Sequence, residues 1–424
     1  MLKLNLTNLS SISPKHGLST TEIDRHKDKI AEYLEKIKAR KLGFYDLVDD
    51  KETVAKVQKF ADEKKDQYEH IIVFGIGGSS LGTICLQQSL THLYKEKKLH
   101  VIDNIDPIML KELEDVIELP KTLFIIVTKS GGTPETLSEY FYIRKKCDEK
   151  GLDPKEHFVF ITDPTKGLLR EISIEEGIPT FEIPENVGGR FSVLTPVGLL
   201  PAALMGLDIK ALLDGARTQR DLFLSESKNP AFTLATIQYL LDQKGKQMTV
   251  LMPYAQKLIR LADWYRQLLA ESIGKKLDNE GNEIFSGLTP INALGVTDQH
   301  SQSQLYNEGP NDKFFIFIAV EDFGADMEIP NLKPMSPSVN FLQNVSFKKL
   351  MHTEQKGTEQ ALTKNDRPNI TITVDSVSEN ALGQLFMLFE AKVAFLGEFY
   401  NIDAFDQPGV ELSKNLTKEL LLKS

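Results

Sequence analysis

The sequence predicts an α/β protein of two three-layer αβα units with mostly parallel sheets, preceded by N-terminal helices and followed by a C-terminal helical arm. Short apolar runs at 71–74, 100–102, 123–127, 158–161 and 181–183 alternate with helical segments such as 136–150, the rhythm of a parallel sheet covered on both faces. A second cycle follows residue 207, with runs at 248–252, 313–320 and 370–374 and a helix over 256–272. The length of 424 residues exceeds one ordinary domain, so two compact units of roughly 150 to 200 residues are expected.

Taken in order, residues 1–69 read as a helical segment that packs on the second unit. Ile23, Ile30, Leu34 and Ile37 fall on one helical face and Val54, Val57 and Phe60 on another, giving two or three amphipathic helices. The first unit spans 70–206 and the second 207–400, with the boundary falling between about 205 and 245 by composition. The most apolar window, 193–207, carries Pro196 and Pro201 and reads as a buried helix. Residues 322–343, rich in Pro, Asn and Ser, read as a long surface loop, 376–400 as an apolar helix, and 401–424 as the C-terminal arm.

Composition narrows the function classes. Hydrophobic content of 41% and charged content of 26% are those of a soluble globular chain. Fifty basic against sixty acidic residues leave a net charge of −10, which argues against a general nucleic-acid or membrane-surface binder. An anionic ligand must therefore be captured by local geometry against the overall field. The first six residues, Met1 to Leu6, lack a signal-peptide apolar region, and no run reaches the length of a membrane span. Cys85 and Cys147 stand far apart, without metal-type spacing, so a disulfide scaffold and a thiolate zinc site are not expected. A reducing cytoplasm fits that usage.

The most informative stretch is Thr128-Lys129-Ser130-Gly131-Gly132-Thr133-Pro134-Glu135-Thr136. It follows a buried strand, turns hard at Ser130, and begins a helix with a hydroxyl N-cap at Thr133, proline at the first position and Glu135 in the first turn. Free backbone N–H groups, the positive end of a helix dipole and three hydroxyls then converge on one point, the makings of a phosphate cradle. An ordinary βα turn favours the same residue types. A second Gly/Ser turn, Gly75-Ile76-Gly77-Gly78-Ser79-Ser80-Leu81-Gly82-Thr83, follows the first strand. It lacks the lysine of a nucleotide-binding P-loop, Thr83 standing there instead. A dinucleotide fingerprint would need a third glycine at Ser80, although Asp103 at the end of the next strand keeps that alternative open. In a parallel sheet the loops after strands one and three can converge, so Gly78 and Ser79 could grip one phosphate together with Thr128, Lys129, Ser130 and Thr133.

These two turns resemble a sugar isomerase (SIS) phosphate-binding domain. More specific strings follow: the run from Glu185 to Gly198 (ENVGGRFSVLTPVG), Glu271-Ser272-Ile273-Gly274-Lys275, Gln299-His300-Ser301, and the run from Phe405 to Lys414 (FDQPGVELSK). In this order they resemble the glucose-6-phosphate isomerase (phosphoglucose isomerase) family from about Val73 to Lys414. The resemblance implies two SIS-type subdomains, reversible interconversion of glucose 6-phosphate and fructose 6-phosphate through a cis-enediol, no cofactor, no metal, and a homodimer whose partner subunit supplies His300.

Elementary chemistry can be set beside that. Glu271 closes a helix marked by Gly274, and a carboxylate facing the negative end of a helix dipole is disfavoured in its ionised form, which suits a general base. By spacing alone, Glu271 and Lys275 also make an ordinary surface pair. Arg190, after two glycines, can approach closely and keeps its charge, as an enediolate requires. His300 titrates in the right range but is otherwise a loop histidine, and Lys414 otherwise a solvated tail lysine. The resemblance assigns proton transfer between C1 and C2 to Glu271 and ring opening to His300 with Lys414. It assigns phosphate or hydroxyl contacts to Gln267 and Gln407, and a cleft position to Glu135. Pro408 stands where the family commonly has an aromatic residue. A non-catalytic sugar-phosphate sensor would need only the two turns, and an isomerase that also takes mannose 6-phosphate would keep the same residues.

Overall fold

The computed structural model describes residues 1–96, 98–333 and 336–423. Two five-stranded sheets and a two-stranded hairpin make up the strand content of those residues. The N-terminal strand β1 (Lys3–Asn5) is followed by the first sheet, β2 (His70–Phe74), β3 (Leu99–Ile102), β4 (Thr122–Thr128), β5 (Phe158–Thr162) and β6 (Thr180–Glu182), ordered β3-β2-β4-β5-β6 and parallel throughout. The second half contains β7 (Met248–Pro253), the hairpin β8 (Lys275–Leu277) and β9 (Glu283–Ser286), then β10 (Thr289–Asn292), β11 (Lys313–Asp322) and β12 (Asn369–Ser376). The second sheet runs β1-β12-β11-β7-β10, parallel except for β1, which lies antiparallel on β12.

All five apolar runs of the first half and all three of the second are strands; the central β4 and β5 are buried along their whole length, whereas the edge strands β3 and β6 are only partly covered. Alternate side chains of the first sheet serve two cores. Ile72, Phe74, Phe124, Ile126 and Phe160 face Tyr140, Ile143 and Leu113 on the covering helices. Ile71, Val73, Ile125, Val127 and Ile161 face the large core that the sheet shares with Leu251, Ile316 and Ile372 of the second sheet. The two sheets are thus joined by one apolar interior.

Four strands were hidden from the periodicity. β1 is three residues long, β10 is an edge strand containing Pro290, which tolerates the missing N–H only at an edge, and the hairpin β8–β9 is largely exposed. The N-terminal helices are those expected: Thr20–Asp24, Lys29–Ala39 and Lys51–Lys64, with Ile23, Ile30, Leu34, Ile37 and Val57 buried. They touch both halves. The helix Lys29–Ala39 meets the helix Glu379–Tyr400 through Tyr33 and Phe399, ring centroids 5.1 Å apart, whereas Phe60 packs edge-on against Phe181 of β6 at 5.4 Å.

The apolar window after Val193 forms the helix Pro196–Leu204, every residue of it buried, with Pro201 inside. The helix Glu379–Tyr400 runs 22 residues through the interior and is buried from Ala381 to Gly397. It ends at Asn401, whose φ of 54° is the left-handed turn that stops a helix. Between β11 and the helix Phe347–Lys364 lies the expected loop, which holds a short 3₁₀ turn at Pro337–Leu342; residues 334–335 within it lie outside the described residues. The arm after residue 401 ends in the helix Glu411–Lys423, which buries none of its residues. Among the described residues no helix is long and apolar enough to cross a membrane.

Candidate active site

The order of the first sheet places β2 beside β4, so the two Gly/Ser turns leave adjacent strands at the carboxyl edge, where the strand order of the sheet reverses. In the β4 turn the Thr128 and Thr133 hydroxyls lie 2.8 Å apart, with the Ser130 hydroxyl 3.4 and 3.5 Å from them. Gly131, at φ +63°, makes the sharp reversal, and a Cβ there would stand 2.8 Å from the Gly167 Cα. The helix Pro134–Glu149 begins as expected, with Thr133 at the N-cap and Pro134 next, yet the Thr133 side chain caps no backbone N–H. The first-turn donors therefore stay open beside three hydroxyls, which is the state an anion site requires. The buried Thr136 hydroxyl in that turn also has no hydrogen-bond partner among the described residues.

Lys129 behaves differently from its neighbours. Its ammonium donates to the backbone carbonyls of Glu185 and Val187, both at 2.8 Å, so within the chain it is spent on another turn. Half-burial lowers its pKa. The β2 turn carries Gly77 at φ +59°, and Gly78 sits so tightly on the chain at Gly189 that a Cβ would come within 2.2 Å of the Gly189 carbonyl oxygen. Ser79 is partly buried in the one-turn 3₁₀ helix Gly77–Ser79.

Gly189 leads into Arg190, which is 4% exposed. Its Nε donates to the Ser272 hydroxyl at 2.6 Å, and one terminal nitrogen donates to the carbonyls of Ala404 and Asp406, the latter at 3.0 Å. The other terminal nitrogen stands 3.8 Å from the Glu271 carboxylate. Burial pulls the Arg190 pKa down, and Glu271 foremost among the neighbouring carboxylates pulls it back up. Glu271 lies in the last turn of the helix Ile259–Ile273, as its position before Gly274 suggested. Gln267, one turn earlier, donates to its Oε1 at 3.2 Å and reaches back toward Gly77 of the β2 turn. Glu271, Arg190, Gln267, Gly77 and Gly78 thus form one connected group drawn from both halves of the chain.

Lys275 is not the surface partner that the spacing allowed. It is buried, and its ammonium donates to the backbone carbonyls of Glu271 and Asp406, each at 2.8 Å, with the Asp406 carboxylate at 3.3 Å. It ties the end of the Glu271 helix to the C-terminal arm. The chemistry available at this cluster is that of a carboxylate base facing a fixed guanidinium, next to turns suited to a phosphate. Among the described residues no group of three or more His, Cys, Asp or Glu is placed to hold a metal ion.

A family model for phosphoglucose isomerase matches residues 50–423. The chain belongs to the phosphoglucose isomerase family. The glucose-6-phosphate isomerase of Carboxydothermus hydrogenoformans is 45% identical over 424 residues, covering 96% of this chain and 91% of that protein. A crystal structure of a hypothetical protein from Thermus thermophilus superposes with a TM-score of 0.89 at 33% identity, over 99% of this chain and 100% of that one. A glucose-6-phosphate isomerase from Chlamydia trachomatis superposes with a TM-score of 0.77 at 24% identity, over 88% of this chain and 73% of that one, a likeness of fold.

The other expected residues of this family member lie on other elements. His300 is exposed on the short turn Thr297–His300 and lines a groove with Gln299, Ser303, Asn307, Lys349 and Glu354. That turn is held firmly: Tyr254 donates to Gln299 at 2.9 Å, Gln299 to Glu354 at 3.0 Å, and the Leu294 N–H to Asp298 at 2.7 Å. Lys414 lies on the exposed helix Glu411–Lys423, paired with Glu411 at 2.8 Å, and Gln407 is exposed just before it. Glu135 is partly buried in the first turn of its helix. Sequence reasoning passed over Glu139, one turn further on, which is buried; burial, then Asp103 and Glu135, push its pKa up to about 8. A carboxylate four residues after another on a helix was the available signal.

Proposed function

We propose that this chain interconverts glucose 6-phosphate and fructose 6-phosphate, with Glu271 as the base that moves a proton between C2 and C1. The observation that carries this reading is the Glu271–Arg190 pair at 3.8 Å, seated against the β2 turn. The phosphate binds at the Thr128, Ser130 and Thr133 hydroxyls with Ser79 and Gly78, where the open helix N-terminus favours a dianion. The open-chain sugar then extends toward Glu271, whose carboxylate removes the proton next to the carbonyl and returns it to the neighbouring carbon. Arg190, held by Ser272 and the arm carbonyls, faces the negative charge of the enediolate and needs no rearrangement as it forms. Gln267 orients Glu271, Gln407 contacts phosphate or sugar hydroxyls, and Glu135 is a further cleft residue.

Ring opening comes before proton transfer and needs an acid and a base. We assign it to His300 and Lys414, with His300 reaching the cleft from the partner subunit of a homodimer. Support for a shared site comes from the exposed position of His300, on a groove whose lining includes neither Glu271 nor Arg190. The exposed leucines Leu412, Leu416 and Leu420 of the Lys414 helix give that helix an apolar stripe for another surface to cover. The cysteine usage favours a reducing compartment such as the cytoplasm; Cys85 and Cys147 are both free and buried.

A coupled assay tests the reading: fructose 6-phosphate should be consumed by the wild type and about 10³-fold more slowly by Glu271→Gln. Equal rates for the two would refute it. Comparing turnover of glucose 6-phosphate with that of mannose 6-phosphate tests epimer choice.

A further inference from the structure

We propose that Lys129 is a positioning residue that ties the phosphate turn to the turn bearing Arg190, so that holding the phosphate and placing the guanidinium are one mechanical event. This rests on the function proposed above. Lys129 sits between Thr128 and Ser130, the two residues whose hydroxyls face the phosphate position. A lysine there would ordinarily be read as a phosphate ligand. Its ammonium instead donates to the carbonyls of Glu185 and Val187. Two carbonyls two residues apart, both accepting from one ammonium, fix the turn between them in orientation as well as position.

That turn is the start of Glu185-Asn186-Val187-Gly188-Gly189-Arg190. It is closed by the Val187 N–H donating to the Pro184 carbonyl at 3.0 Å. Its far side is held by residues 41–43: the Gly43 N–H donates to the Asn186 carbonyl at 3.0 Å and the Asn186 amide to the Lys41 carbonyl at 2.9 Å. Beyond Val187, the backbone at Gly189 rests directly on Gly78 of the other phosphate turn. Both phosphate turns therefore grip the segment that delivers Arg190, one by backbone contact and one through the Lys129 ammonium. Gly188 and Gly189 separate the strut from Arg190, so without it the segment's placement rests on the Gly78 contact and on the hydrogen bonds of Arg190 itself. A displacement of about 1 Å at a charge-stabilising group costs on the order of a hundredfold in rate.

The test uses the full-length protein with Lys129→Met, which keeps the side chain's length and removes its donors, and Lys129→Arg, which keeps them. Steady-state kinetics with fructose 6-phosphate should show kcat lowered by about 10- to 100-fold in the Met variant, with KM changed by less than about threefold. The inhibition constant of inorganic phosphate should likewise stay within about threefold of wild type, and the Arg variant should recover most of kcat. If KM and the phosphate inhibition constant rise together about tenfold while kcat holds, the ammonium is a direct phosphate ligand and the inference is wrong. Unchanged kinetics in the Met variant would also overturn it. Should Lys129→Met fail to fold, Lys129→Gln is judged by the same criteria. An inactive wild type would instead refute the proposed function, so the two failures are distinct.

Discussion

At the scale of single residues, the proposed chemistry hangs on a carboxylate and a guanidinium 3.8 Å apart, each held by partners outside the pair. Glu271→Gln keeps the size and the Gln267 contact but cannot accept a proton, and kcat is expected to fall by about 10³-fold, within the range found for loss of a general base. Arg190→Lys keeps the charge and loses the fork. One ammonium cannot serve Ser272, Asp406, Ala404 and Glu271 at once, so kcat should drop by about 10²-fold while the cation remains. Steady-state kinetics on the two purified variants checks both. Glu271 was legible because a glycine marked the helix end. Lys275 was not, since i,i+4 spacing implies a shared helical face only while the helix lasts. The helix stops at Ile273, Lys275 opens β8, and its side chain turns inward to the arm.

At the scale of elements, the β4 turn and the helix after it were readable in detail, down to Thr133 at the N-cap and Pro134 behind it. What the sequence could not give is that the Thr133 hydroxyl faces Thr128 and leaves the cap empty, since that depends on where the strand aims the preceding residues. The reversal itself rests on Gly131. Gly131→Ala would force a side chain into the left-handed region and against Gly167. A stability loss of about 1–3 kcal/mol in denaturant melts is expected, together with a several-fold rise in KM for the sugar phosphate. Short and edge strands escaped the periodicity for a different reason: three or four residues at a sheet margin bury too little to impose alternation, as β1 and β10 show.

At the scale of the whole molecule, one interior joins both sheets, and the site is drawn from both halves across it. Two measurements belong here. Glu139 is buried beneath the phosphate turn with its pKa pushed up to about 8, against 4.5 as its ordinary value. Between those values the folded chain holds a proton that the unfolded chain has released, so stability falls as pH rises through that window. Glu139→Gln removes the loss, and its melting temperature relative to wild type should rise by a few degrees from about pH 5 to about pH 8.5. The second concerns the shared site. When His300→Ala and Glu271→Gln chains, each inactive on cyclic substrate, are mixed and allowed to exchange, about half the dimers are mixed and each has one intact site. Activity should return to about a quarter of wild type. No recovery after exchange confirmed by mass would place His300 in its own chain's site.

The central claim is that Glu271 carries the hydrogen between adjacent carbons of the sugar phosphate. Isomerisation in deuterated water, followed by NMR of the product, tests it most directly. Deuterium should appear at C2 of glucose 6-phosphate formed from fructose 6-phosphate, because a proton resting on Glu271 exchanges with solvent, and Glu271→Gln should form product and exchange label about 10³-fold more slowly. Product that forms at the wild-type rate in the variant, or that never takes up deuterium in the wild type even at low temperature, would contradict it.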